Sequence, residues 1–133
     1  EIEHVKVPEY VKLETRKILV PTLGGPFTEN LQIACEMARP RGAEVTALYV
    51  IEIPSSLPLD TFLPDRLGEA DSALKRGQAI GRESEVAVTA QLLQARSAGQ
   101  AIVDMAKEKG FDLIVMGSSY RRGAAAWLGR GAK

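Results

Sequence analysis

One cysteine and one histidine, Cys35 and His4, are the only thiol and imidazole in 133 residues. A lone cysteine excludes an intrachain disulfide and a cysteine zinc cluster. A lone histidine excludes a His-rich metal site and a Ser-His-Asp triad within one chain. Aromatic residues are scarce, at three Phe, three Tyr and one Trp, so a base-stacking platform is not expected. Neither sign of charge prevails, because 17 basic and 17 acidic residues cancel. That removes the electrostatic footprint of a general nucleic-acid or membrane-surface binder. No apolar run approaches the roughly 18 residues of a spanning helix, and no signal peptide is visible. These absences suit a cytoplasmic protein.

Enzyme motifs are missing as well. The chain has no G-x-x-x-x-G-K-[ST], G-x-G-x-x-G, G-x-S-x-G or H-E-x-x-H. After the first apolar run no carboxylate occurs until Glu29, so hydrolysis lacks a general base near that loop. The expectation is a protein that is not an enzyme and holds no metal.

What is present is a regular alternation. "EIEHVKVPEYVKLETRK" mixes charges with isolated apolar residues and Pro8, and residues 1–16 read as a charged linker or arm. "KILVP" reads as a strand buried on both faces and ended by Pro21. Gly24, Gly25 and Pro26 punctuate a loop, and Thr28 is a candidate helix N-cap. Leu31, Ala34, Cys35 and Ala38 then recur on one helical face, which makes Cys35 a buried, inert thiol. Pro40 and Gly42 close that helix, and "AEVTALYVIEI" is a second buried strand.

After a proline-marked loop, "DRLGEADSALKRGQAIGRES" reads as a weaker helix, with Leu67, Ala70, Leu74 and Gly77 on one face. Its glycines at 68, 77 and 81 each cost about 1 kcal/mol against alanine. "EVAVTAQLL" alternates as a half-exposed strand. In "SAGQAIVDMAKEKG", Ser97 and Gln100 form a capping box and Gly110 stands at a C′ position. "FDLIVMG" is a fourth strand, and the residues around Trp127 read as the start of another helix. Alternation of this kind implies an open parallel sheet covered by helices. Ligands of such sheets bind beyond the carboxyl ends of the strands, near a switch in strand order.

The stretches "KILVPT", "ALYVIEI", "SAGQAIVDMAKEKGFDLIVMGS" and "RRG" resemble the universal stress protein family, in register from Arg16 to Lys133. The resemblance implies an α/β fold: a three-layer, adenine-nucleotide-hydrolase-like (flavodoxin-like, Rossmann-like) open sheet with strand order 3-2-1-4-5. It assigns residues 17–133 to that domain and implies that the family's last helix is cut short and its fifth strand absent. That edge strand often builds the family's dimer, so a homodimer is one candidate assembly. The chain starts at Glu1 and stops in "WLGRGAK", and it is read as a fragment of something longer. Because the family includes domains fused to permeases and antiporters, the charged arm is also a candidate tether to a membrane transporter.

Nucleotide-binding members carry Gly, two residues, Gly, nine residues, Gly, then Ser or Thr. On this chain the first glycine falls on Gly117, the second position on Tyr120, and the third on Arg130. Those members also place an acidic residue where this chain has Leu23. The resemblance therefore implies a degenerate site for ATP, AMP or another adenine nucleotide, formed by Pro21, Thr22, Val50, Met116, Gly117, Ser118, Ser119, Arg121, Arg122 and Gly123. Val50 and Met116 would flank an adenine, or they are plain sheet core. Two hydroxyls and two guanidiniums at 118, 119, 121 and 122 suit an anion, or they are solvated loop residues. Tyr120 either stacks on a ligand or fills the site. Two readings stay open: a regulatory binding domain for a nucleotide or anion, and an interaction domain whose site is closed. A weak ATPase is a third.

Overall fold

The computed structural model describes residues 15–116 and 125–128. Strand β1 (Lys17–Thr22) leads into helix α1 (Thr28–Ala38), a 3-10 turn (Arg39–Arg41) and β2 (Glu44–Glu52). Helix α2 (Pro64–Glu83), β3 (Val88–Ala95), α3 (Ala98–Lys109), β4 (Leu113–Met116) and β5 (Ala125–Leu128) follow. The sheet order is β3-β2-β1-β4-β5. The first four strands pair in parallel, in the 3-2-1-4 order expected.

The pleat sorts the strand residues into two cores. Ile18 and Val20 of β1, and Val45, Ala47, Tyr49 and Ile51 of β2, face α1 and α2. Leu19, Leu48 and Val50 alternate with them and face α3, together with Ile114 and Met116 of β4. Burial on both faces explains why β1 and β2 are continuous apolar runs rather than alternating ones. β3 is an edge strand, and Leu92 on it remains 43% exposed.

Several assignments differ from the sequence reading, among them the start of β3, which is Val88 rather than Glu85. β1 does not end at Pro21 but runs through it to Thr22. A proline in an inner strand removes a ladder donor, and it is accommodated because the register with β4 extends only over Ile18↔Leu113 and Leu19↔Ile114. Pro21 is thus registered with Leu48 alone. Thr28 is the first helical residue, and Phe27 is the N-cap without a side-chain bond. The residues around Trp127 form a strand, not a helix: β5 pairs antiparallel with β4, with Ile114 opposite Trp127. Four residues are too few for a helical period to decide between the two, and the outer edge of β4 offers unpaired backbone groups that a returning segment satisfies.

α3 is closed at both ends as its sequence suggests. Ser97 Oγ accepts from Gln100 N–H at 3.3 Å, and Gly110 at φ 75 forms the left-handed C-cap. The reciprocal half of the capping box is absent, because the Gln100 amide donates to Asp104 at 2.8 Å instead. Glu52 at the end of β2 adds a second acceptor for the helix N-terminus, taking the Ala98 N–H at 2.8 Å.

Asp112 ties the start of β1 to the start of β4. Its carboxylate accepts from the backbone N–H groups of Arg16 at 2.7 Å and Lys17 at 3.0 Å. Its own N–H donates to Lys17 O at 2.9 Å. It is a tie between two backbone segments. Asp112→Ala is expected to cost about 1–3 kcal/mol, the range for losing charged acceptors of otherwise unpaired donors. Asp112→Asn, which keeps one oxygen, should cost less. Urea midpoints of the two variants check this, and equal midpoints would dismiss the tie.

Candidate functional site

The carboxyl edge of the sheet is built around the loop that leaves β1. Thr22 folds that loop on itself: its hydroxyl accepts from Gly24 N–H at 3.2 Å and donates to Gly25 O at 3.2 Å. Gly24 holds φ 132, a conformation L side chains rarely adopt. From across the face, Arg66 Nη2 donates to Leu23 O at 3.2 Å and pins the loop to α2.

Of the residues named from the sequence, Pro21 and Thr22 lie at the end of β1, and Thr22 is 6% exposed. Val50 is fully buried in β2, and Met116 ends β4 on the same α3-facing core. The fold therefore places Val50 and Met116 in one core, on strands that flank β1. Gly117, Ser118, Ser119, Tyr120, Arg121, Arg122 and Gly123 lie outside the described residues. The Thr22 hydroxyl, a candidate ligand contact, makes its bonds within its own loop.

Leu23 is half-buried and packs against the core that contains Leu19, Leu48, Val50 and Met116. It extends the apolar floor beneath the point where β1 and β4 part. At that point β1 keeps its register with β2 as far as Thr22↔Tyr49 but has left β4. This is the place where the strand order reverses, which is where open α/β sheets bind ligands.

Cys35 is fully buried on α1. Burial pushes its thiol up more than a hydrogen bond with Ser84 and the neighbouring Arg39 pull it down. The thiol stays protonated and unreactive at neutral pH. Among the described residues, no group of three His, Cys, Asp or Glu side chains is placed to hold a metal ion. Also among them, no helix is long and apolar enough to cross a membrane.

On the opposite, α2-facing side the structure opens a cleft that the sequence did not reveal. It has a volume of about 510 Å³ and lies between Gly24, Tyr49 and the α2 residues Glu69, Ser72 and Arg76. The signals were present but weak. Tyr49 is the one aromatic residue of β2, and positions 69, 72 and 76 share a helical face. Nothing in sequence spacing says which loop that face will meet.

A model described as the universal stress protein family matches residues 14–131. A universal stress protein of Methanothermobacter thermautotrophicus is 31% identical over 114 residues, covering 77% of this chain and 75% of its own. The structure of universal stress protein from Archaeoglobus fulgidus superposes with a TM-score of 0.64 at 25% identity, covering 81% of this chain and 79% of that one. A structure of the universal stress protein from Archaeoglobus fulgidus in complex with dAMP gives a TM-score of 0.64 at 22% identity, covering 80% of this chain and 82% of that one.

Proposed function

The chain belongs to the universal stress protein family, and from that membership we propose that it is a binding and regulatory domain without chemistry of its own, taking an adenine nucleotide or a related anion weakly at the switch point of its sheet. The observation that carries this reading is the parting of β1 from β4 above the apolar pair Val50 and Met116. A flat, largely apolar heterocycle suits such a floor. In this reading the segment from Gly117 to Gly123 supplies hydroxyls, guanidiniums and backbone donors for the anionic end. The Archaeoglobus fulgidus protein that holds dAMP shares the fold. Weakness follows from Leu23, whose side chain offers no acceptor to a ribose hydroxyl.

A ligand that binds only the folded form raises its stability by mass action. Millimolar ATP, AMP or cyclic AMP should therefore raise the melting temperature by a few degrees in a thermal-shift series. No rise with any of the three would end the nucleotide reading.

The packing of Leu23 against the α3-facing core favours one rival, an interaction domain whose nucleotide site is closed. Leu23→Asp separates the two. If leucine closes the site, the aspartate variant gains a nucleotide-dependent thermal shift that the parent chain lacks. If the parent already binds, both shift and the variant shifts further.

A further inference from the structure

The cleft between the β1 loop and α2 sits on the face of the sheet opposite Val50 and Met116, since Tyr49 points to the other core. Tyr49 is only 2% exposed, yet it lines this cleft. Its hydroxyl lies 3.2 Å from the place a Cβ on Gly24 would take. Among the described residues that hydroxyl makes no hydrogen bond. Phenylalanine would fill the same apolar space, so packing does not account for the oxygen. Among the described residues no buried side-chain oxygen lacks a partner, so this unbonded hydroxyl is reached from outside, and Tyr49 lines the cleft. Gly24 keeps the mouth clear, because a side chain there would be strained at φ 132 and would crowd the phenol.

The helix side of the cleft is polar. Ser72 and Arg76 stand one turn apart on α2 and line it. Neither makes a hydrogen bond or ion pair among the described residues. Glu69 is already engaged by Arg66 Nε at 3.4 Å, and Arg66 continues to the Leu23 carbonyl. The Glu69 carboxylate at the cleft is paired with Arg66, and among the described residues Arg76 has no ion-pair partner.

We propose that this cleft is a second binding site, for a small metabolite that carries an oxyanion and hydroxyl groups. Arg76 and Ser72 hold the oxyanion, the guanidinium through its fork of N–H donors. The Tyr49 hydroxyl meets a hydroxyl of the ligand at the inner end. The site is separate from the proposed nucleotide crevice and does not depend on it.

Backbone amide NMR of the whole chain tests the proposal, with ribose 5-phosphate, inorganic phosphate and citrate as probes. Saturable shifts are expected at Gly24, Gly68 and Ser72. Saturation by the phosphates alone, by citrate alone, or by both supports the site and identifies its oxyanion. Arg76→Ala, an exposed position, should weaken the binding probe by roughly tenfold or more, the size of one lost charge-assisted hydrogen bond. Tyr49→Phe keeps the ring in the core and should weaken ribose 5-phosphate more than inorganic phosphate. The proposal is overturned by the absence of saturable shifts with all three probes, by shifts confined to Val50 and Met116, or by binding indifferent to both substitutions. Shifts at Val50 and Met116 with ATP, whether present or absent, report on the crevice alone.

Discussion

Gly81→Ala lowers the melting temperature by roughly 8 °C, the expectation for about 2 kcal/mol in a chain of this size. The reason lies in what the new methyl would meet. A Cβ at Gly81 would stand 2.4 Å from Val88 Cγ2 and 2.6 Å from the Val86 carbonyl oxygen. The valine can turn, but the carbonyl is backbone. The same segment is held to the helix by Val86 N–H donating to Gly81 O at 2.8 Å. Relief would require moving β3 away from α2 where Val86 and Val88 are buried. Overpacking of this kind costs typically 1–3 kcal/mol and occasionally more. Alanine recovers about 1 kcal/mol of helix propensity, which the backbone clash exceeds. Calorimetry on the variant decides the matter, and a melting temperature equal to or above the parent's would refute the close approach.

Leu31→Ala is expected to cost about 2–5 kcal/mol, as deletion of a fully buried leucine does. Leu31 has no exposed surface and lies in the core between α1, α2 and the sheet. Its partner is another glycine. A Cβ on Gly77 would lie 2.9 Å from Leu31 Cδ1, with Ala47 and Phe27 at ordinary contact distance of 3.7 Å. Here the obstacle is the tip of a side chain, which can give way. Gly77→Ala alone should therefore change stability by less than Gly81→Ala. In combination the methyl added at 77 occupies part of the space vacated at 31. The double variant should lose less than the two single losses added together, with a coupling of about 0.5–3 kcal/mol. Denaturant midpoints of the four proteins measure it, and strict additivity would show that the two positions do not share that space.

These two glycines mark where sequence reading stops. By propensity, glycines 68, 77 and 81 are three equal defects in a helix. In the fold they differ. A Cβ at Gly68 would meet nothing within 4 Å, one at Gly77 would press on a leucine tip, and one at Gly81 would strike a backbone oxygen. Propensity counts only the helix's own backbone, whereas Gly81 meets the turn into β3 at Val86 and Val88, and Gly77 meets Leu31 from a distant helix. The tail shows the same limit. "AAAWL" carries too short a pattern to choose a state, and the free edge of β4 chose strand.

By itself the sequence determined the alternation of strands and helices, the burial of β1 and β2 on both faces, the caps of α3 and the family. Each of these is written in periods, runs or cap residues within a short window, which is where local chemistry acts. Tertiary structure alone decided that Leu23 becomes part of the α3-facing core, that Pro21 can remain inside a strand, and that the Tyr49 hydroxyl opens onto a cleft with Ser72 and Arg76. Those facts depend on which surfaces meet when β1, β2 and α2 pack together. Side-chain spacing along the chain does not encode that meeting; the close packing of the whole sheet and its helices does.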